Sequence, residues 1–384
     1  AEEAGLSLTI RPDLAPVADA AWRRFRRDAV RSPRVRIIPF YLPQFHPTAE
    51  NNRWWGEGFT EWANVTAARP VYLGHNQPNL PSDLGFYDLR LDEVRQAQMD
   101  LASAHGIAGF MYYYYWFAGQ RLLNLPIEKL ASSDVNKPFC IMWANENWTR
   151  RWDGRSSDIL MGQDYDRVPA TEFIDDVLEF LADPRYLRVD GKPVLAVYRP
   201  SQMPDFPAVL KHWRERARQA GVGELKILSV DVAREFDGLN ADASDVGLDG
   251  TLGFPPHNLK WEWVPHGGLH VDRRFRGNIL SYEAMVLDAE RRLRRLAEDA
   301  YPGVMVTFDN TARRQWQPDL WHGSNPYTFR RWLASASSAI AHREPDNRVL
   351  FINAWNEWAE SAVLEPSRRF GRSYLHAVRD VAFS

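Results

Sequence analysis

Eight apolar runs of strand length constrain the fold of this chain more than any other feature. They cover residues 35–42, 108–116, 138–144, 193–198, 225–232, 250–254, 304–308 and 348–354. The runs are largely apolar rather than alternating, as in parallel strands that are buried on both faces. Helical patterns lie near 91–105, 124–132, 169–182, 205–220, 281–300, 326–343 and 371–382, with a weaker turn or short helix at 239–247. Strand-then-helix units in this succession predict an α/β fold, a (β/α)8 TIM barrel.

A doubly wound open sheet is the alternative fold. Such a sheet carries a glycine-rich phosphate turn after an early strand, but the first run here continues as LPQFHP over residues 42–47. No long linker or internal repeat interrupts the chain. We therefore expect one barrel domain over residues 35–384, preceded by a peripheral N-terminal extension, residues 1–34, that contains a helix near 20–31.

The last apolar run ends in a polar and aromatic segment that is the first candidate for catalysis. Trp355 and Asn356 follow it, and Glu357 and Glu360 stand three positions apart. If the chain is helical there, both carboxylates lie on one face, with Cβ atoms roughly 5–6 Å apart. Paired carboxyls beside aromatic surface suit acid–base chemistry on a sugar. The alternative, two solvated glutamates at a strand end, leaves the tryptophans exposed without a reason.

Catalytic residues of such barrels follow the carboxyl ends of the strands, so the residues after the other runs are candidates for substrate binding. Tyr41, Gln44 and His46 follow the first run, and a long loop, 47–90, adds Trp55 and Glu61 as a lid or subsite wall. A small satellite core is the equally favoured interpretation of that loop.

The second run ends in six consecutive aromatic residues, 112–117. Strand alternation sends Tyr112, Tyr114 and Trp116 to one side and the other three to the opposite side. One set is expected to face the barrel mouth, since tyrosine hydroxyls need polar partners. We take the set that begins with Tyr112 as the substrate-binding one.

Further candidates follow the later runs: Trp143, Asn145, Glu146, Tyr198 and Asp231. Glu146 could act with Glu357 across the barrel mouth, or Arg150 or Arg151 could neutralise it. No metal-ligand spacing, nucleophile elbow or phosphate loop occurs, so we expect no metal and no cofactor.

Composition narrows the partners and the compartment. A net charge of −3 gives no support for a nucleic-acid partner. The single cysteine, Cys140, excludes an intramolecular disulfide and lies in an apolar run, which indicates a buried thiol. No apolar run is long enough to span a membrane and no signal peptide is visible, so we expect a cytoplasmic or periplasmic protein that binds an oligosaccharide or polysaccharide.

Four motifs together resemble a known family. They are FYLPQFHP (40–47), WGEGFTEW (55–62), WANENW (143–148) and WNEWAE (355–360). The chain resembles the WbsX-like family of bacterial polysaccharide loci, which is often labelled glycosyltransferase. That family is similar to glycoside hydrolase family 99, the endo-acting α-mannosidases and α-mannanases.

The resemblance implies a retaining mechanism with a 1,2-anhydro sugar intermediate. Glu357 would take the proton from the sugar 2-OH, and Glu360 would protonate the leaving oxygen and then activate water. Tyr41, Trp116, Tyr198 and Asn356 stand where the family contacts sugar. A preference for mannosides is not transferred. A sugar-nucleotide glycosyltransferase and a non-catalytic glycan-binding barrel are the alternative functions.

Overall fold

The structure is a computed structural model in which we describe residues 33–150, 155–232 and 246–383, without the side chains of residues 149, 150, 155–158 and 266. The predicted N-terminal helix near 20–31 and most of the predicted element at 239–247 lie outside these ranges.

The predicted (β/α)8 barrel is confirmed. Its parallel strands are Arg36–Tyr41, Phe110–Phe117, Phe139–Trp143, Lys192–Val197, Lys226–Asp231, Thr251–Gly253, a seventh strand in two segments, and Val349–Asn353. The first strand pairs with the eighth as well as with the second, which closes the ring. Each strand overlaps a predicted apolar run, because a strand buried on both faces has little room for polar side chains.

The seventh strand is divided by Pro302. Ala300–Tyr301 pairs with the sixth strand, whereas Gly303–Met305 pairs with the eighth. Proline has no N–H to donate to a ladder, so the strand changes partner at this residue. The strand therefore begins four residues before the predicted run at 304, and the preceding helix is shorter than the predicted 281–300.

Helices cover the outside of the barrel. They are Asp92–Ala104, Leu125–Ala131, Phe173–Leu181, Phe206–Gln219, Tyr282–Leu293, Pro326–Ala339 and Ser373–Phe383. The loop after the first strand adds two short helices, Ala49–Trp55 and Trp62–Ala67. No helix in the described ranges combines the length and the apolar character needed to cross a lipid bilayer.

A second, small sheet lies outside the barrel. Its strands, Asn278–Ser281 and Asp319–His322, come from the connections after the sixth and seventh barrel strands and pair in parallel. Val71 from the long loop packs with Phe275, Ile279 and Leu320 to form a satellite apolar cluster. The satellite-core interpretation of loop 47–90 is therefore correct for this part of the loop.

Candidate active site

A cavity of about 970 Å³ opens at the carboxyl ends of the barrel strands. This volume lies near the upper end of the range for protein pockets that bind small molecules. Seven predicted site residues line it: Gln44, Trp55, Glu61, Glu146, Tyr198, Glu357 and Glu360. Tyr113, Tyr115, Trp148, Phe254, Trp261, Phe308 and Trp321 add aromatic surface. The wall therefore combines carboxylates with flat apolar faces, as a carbohydrate site requires.

Arg313 holds three of these carboxylates together. Its Nη1 donates to Oε1 of Glu360 at 2.7 Å, and its Nη2 donates to Oε1 of Glu357 at 3.1 Å. The same Nη2 lies 3.5 Å from Oε1 of Glu61. Gln44 Nε2 also lies 3.3 and 3.4 Å from the two oxygens of Glu357. One guanidinium thus brings the paired glutamates onto a single donor fork.

Charge in this cluster is unbalanced, because three carboxylates face one guanidinium in a buried place. The side chain of Glu357 is 6% exposed, whereas that of Glu360 is 26% exposed. Burial raises the pKa of Glu357 from 4.5 to about 8, and the charges of Glu360 and Glu61 add to the effect while Arg313 opposes it. Burial likewise raises the pKa of Glu61. The raised pKa values of Glu357 and Glu61 therefore favour a proton in this cluster near neutral pH.

This proton predicts a pH-dependent stability. The pKa of folded Glu357 is raised from 4.5 to about 8. Between these two pH values the folded protein keeps a proton that the unfolded chain releases. The free energy of unfolding therefore falls as the pH rises from about 4.5 to 8. Glu357→Gln cannot ionise, so its melting temperature should gain on that of wild type between pH 5 and 8.5. Differential scanning calorimetry across this range measures the difference. Glu93→Gln, at an exposed side chain, is the control, and a difference that does not change with pH would contradict the assignment.

The segment that carries the two glutamates is not an α-helix. Asn356 and Glu357 form a short strand that pairs with Ala362–Val363, and Trp358–Glu360 is a single 3-10 turn. Asn356 mimics a backbone partner: its Oδ1 accepts from Leu42 N at 2.8 Å and its Nδ2 donates to Leu42 O at 3.0 Å. The helical assumption in the sequence prediction was wrong, and the two carboxylates meet through Arg313 instead.

A hydrogen-bonded layer supports the end of this turn. The N–H of Asp309 donates to the carbonyl of Glu360 at 2.7 Å. Gln77 Nε2 donates both to Asp309 Oδ2 and to Ser361 Oγ, and His75 Nε2 lies 2.7 Å from Asp309 Oδ2. Burial alone would raise the pKa of Asp309, but hydrogen bonds from these partners and from Thr311 hold it below its ordinary value. The ionised carboxylate of Asp309 is therefore an acceptor for His75, Gln77 and Thr311, while its backbone N–H donates to Glu360.

A second buried carboxylate lies behind the same turn. Glu365 accepts from Trp358 Nε1 and Tyr87 Oη at 2.8 Å and from Gln98 Nε2 at 2.7 Å. Burial raises the pKa of Glu365 to about 7. Tyr41, a predicted sugar contact, donates to Gln98 Oε1 in this network and is fully buried. Tyr41 therefore supports the segment 355–360 from behind.

In the second strand, the aromatic set predicted to bind substrate does not face the cavity; the alternate set does. Tyr113 and Tyr115 line the cavity, whereas Tyr112, Tyr114 and Trp116 are buried on the helix side of the strand. Tyr114 Oη donates to Asp176 of a surrounding helix at 2.6 Å. Alternation alone could not decide which set faces the cavity, because each set contains two tyrosines and one other aromatic residue.

The third strand delivers one predicted residue to the cavity. Glu146 lines it and pairs with Arg199, whose Nη2 lies 2.8 Å from Oε1. Arg150 and Arg151, the neutralising partners proposed from the sequence, lie outside the described side chains. Asn145 is buried and exchanges hydrogen bonds with the backbone of Arg199, and Trp143 stacks on Phe173 at 4.2 Å. These two residues shape the wall without forming its surface.

The remaining predicted contacts also lie off the cavity wall. Trp355 is completely buried, as is Asn356, so neither needs a sugar to cover it. Trp358 is also buried, so neither tryptophan beside the two glutamates is exposed, contrary to the expectation from the sequence. His46 is buried, and burial lowers its pKa to about 4. Asp231 is exposed and accepts from Asn258.

Arg313 is a residue of the candidate site that the sequence did not predict. The polar pair Asp309-Asn310 follows the seventh strand. The chain then makes a 3-10 turn at Asn310–Ala312, which delivers Arg313 to the cavity. The signal was an arginine shortly after a strand end, but most arginines lie on protein surfaces, so composition could not single it out.

Comparison with known proteins finds sequence matches over nearly the whole chain. The profile of the family described as "Glycosyltransferase WbsX" matches residues 37–378. Two relatives, each named "Uncharacterized protein WxcX" in Xanthomonas campestris pv. campestris, are 40% identical over 373 residues. That match covers 97% of this chain and 52% of the relatives. The chain thus spans about half the length of these curated relatives.

Two solved structures to which this chain is similar have titles that mention glycoside hydrolases. A structure titled "Glycoside hydrolase-like protein" superimposes with a TM-score of 0.57 at 15% identity, covering 93% of this chain and 96% of the other. The family 99 endo-α-mannosidase of Bacteroides thetaiotaomicron gives a TM-score of 0.51 at 14% identity, with 90% and 96% covered. Likeness at this identity establishes a shared fold.

Proposed function

The chain belongs to the Glycosyltransferase WbsX family, and from this premise we propose that it is a retaining glycoside hydrolase acting on a bacterial surface or cell-wall polysaccharide. One observation carries the proposal. Glu357 and Glu360 share the guanidinium of Arg313 at the wall of a large cavity lined by aromatic rings. Two neighbouring carboxyl groups can supply the acid and the base that cleave a glycosidic bond.

The proposed chemistry uses the sugar's own 2-OH. Glu357 accepts the proton of that hydroxyl as its oxygen attacks the anomeric carbon, and Glu360 gives a proton to the leaving oxygen. The resulting 1,2-anhydro sugar is then opened by water that Glu360 deprotonates, while Glu357 returns its proton to the 2-oxygen. Two displacements at one carbon retain its configuration.

The burial of Glu357 bears on which of the two glutamates acts as the general acid. The raised pKa of Glu357 favours its protonated form, whereas the proposed cycle starts with the proton on Glu360. Binding of the 2-OH to Glu357 would favour its ionised form and transfer the proton to Glu360. If no transfer occurs, the two glutamates exchange roles, with Glu357 as the acid.

Leaving-group chemistry separates these two assignments. A variant that lacks the general acid loses little kcat/KM on an aryl glycoside whose phenol is a good leaving group, because no proton is needed at that oxygen in the first displacement. We expect Glu360→Gln to retain most of its kcat/KM on such a substrate, with a lower kcat because Glu360 is also the base of the second displacement, and Glu357→Gln to lose both. Initial rates with phenols of different acidity measure this difference. The opposite pattern would assign the acid role to Glu357.

The function itself is tested by release of sugar from purified surface polysaccharide with no sugar nucleotide present. Release of new reducing ends supports hydrolysis. The glycosyltransferase alternative, which has the family's name in its favour, predicts no release and predicts transfer when a sugar nucleotide is supplied. A non-catalytic glycan-binding barrel predicts binding by calorimetry without either product.

A further inference from the structure

Two exposed tryptophans lie on the segment that follows the sixth barrel strand. Trp261 is 43% exposed and Trp263 is 61% exposed. Indole rings carry a large apolar surface whose exposure to water is unfavourable, so exposed tryptophans beside a cavity indicate a surface that binds something. Trp261 lines the cavity, whereas Trp263 is not one of its lining residues.

The backbone places both rings on one side of this segment. Residues 262–264 run antiparallel to the outer strand Asn278–Ser281, with hydrogen bonds from Val264 N to Ile279 O and from Ser281 N to Glu262 O. Alternate side chains of an extended chain share a face and are roughly 6–7 Å apart. The intervening Glu262 pairs with Lys260 at 2.6 Å. One face is therefore charged and the other aromatic.

Contacts to the rim fix the orientation of both indoles. Trp261 packs edge-to-face on Trp321, which also lines the cavity, with ring centroids 5.5 Å apart. Trp263 Nε1 donates to Asn278 Oδ1 at 3.1 Å, and Asn278 Nδ2 donates to Asp319 Oδ1 at 2.7 Å. Asp319 belongs to the cavity wall. A ring that is already held in place loses little conformational entropy when a ligand stacks on it.

We propose that Trp263 forms an additional sugar-binding subsite outside the cavity, which stacks on a pyranose ring of the same glycan chain whose reacting unit occupies the cavity. The inference rests on the proposed function. Continuity with the cavity through Trp261 identifies the occupant, and the apolar C–H face of a pyranose is the chemistry that an indole face recognises. The enzyme therefore favours a polymer over a short glycoside.

Binding and turnover measured separately test the subsite. Binding to intact polysaccharide is measured by affinity electrophoresis with Glu357→Gln, which is expected not to cleave the polymer. The same measurement is made with the double variant Glu357→Gln/Trp263→Ala. We expect Trp263→Ala to weaken polymer binding about five- to tenfold, and to raise KM for the polymer with kcat unchanged. Rates on a short aryl glycoside should stay the same. Trp263→Phe keeps an aromatic face and should restore part of the affinity.

Tyr327→Ala is the matched control, because this aromatic side chain is 76% exposed and lies off the cavity wall. Unchanged polymer binding by Trp263→Ala would overturn the subsite, as would the absence of polymer binding by the parent variant. Turnover of a short aryl glycoside in either case leaves the hydrolase proposal standing. Conversely, Trp263-dependent binding with no hydrolysis of any glycan would retain the subsite and refute the proposed function.

Discussion

Glu357→Gln and Glu360→Gln are each expected to lower kcat on the natural polysaccharide by about 10²–10⁴-fold, the usual contribution of a positioned acid or base. Glutamine keeps the shape of the side chain and the acceptor that Arg313 requires, but it can neither take up nor give a proton. The fold should therefore persist while the chemistry fails. Steady-state release of reducing ends measures the loss.

The control for this pair of variants is Glu298→Gln, the same chemical change at an 81% exposed side chain. It should leave kcat and KM at the wild-type values. The double variant Glu357→Gln/Glu360→Gln should lose little more than the worse single variant, because the two groups act in one step. Near-wild-type activity of Glu357→Gln on the polysaccharide would show that the pair is not the catalytic apparatus.

Arg313 is expected to have the second largest effect, on both stability and activity. Arg313→Met leaves Glu61, Glu357 and Glu360 without the cation that all three contact. Removal of one partner from a buried ion pair costs about 3–5 kcal/mol. Since the uncompensated carboxyls can take up protons, the loss of stability should be larger at pH 8 than at pH 5.

Arg313→Lys separates charge from geometry. Lysine supplies the positive charge but not the fork that contacts the two glutamates at 2.7 and 3.1 Å. We expect a folded protein whose kcat is reduced and whose pH profile is displaced upward, since weaker pairing raises the carboxyl pKa values. Rate profiles from pH 5 to 9 measure the displacement.

The control for Arg313 is Arg331→Lys. Arg331 also bridges two carboxylates, Glu283 at 2.7 Å and Glu290 at 3.1 Å, but it does so on the helical surface. This variant should keep both the rate and the pH profile. An Arg313→Lys variant with an unchanged pH profile would mean that the guanidinium has a structural role alone.

Sequence reasoning identified the barrel because hydrophobic burial determines the pattern of its strands. The run at 348–354 corresponds to the strand Val349–Asn353, and the run at 35–42 to Arg36–Tyr41. The departure at the seventh strand arises from Pro302, whose effect on pairing depends on which neighbours the chain meets.

The candidate site was only partly accessible from the sequence. Glu357 and Glu360 are close in the chain, so their proximity was predictable, and the resemblance supplied their roles as a hypothesis. Arg313 is distant from both, and only the closed ring of strands brings it to them. The choice between Tyr112 and Tyr113 depended on strand orientation, which six consecutive aromatic residues do not reveal.

Stereochemistry of the first product tests the central claim most directly. Purified polysaccharide is incubated with wild type, with no sugar nucleotide and no added metal, and the anomeric configuration of the released sugar is followed by NMR before it mutarotates. The neighbouring-glutamate account predicts release with the configuration of the cleaved bond retained, and no release by Glu357→Gln. Inverted configuration, or release that persists in Glu357→Gln, would contradict it.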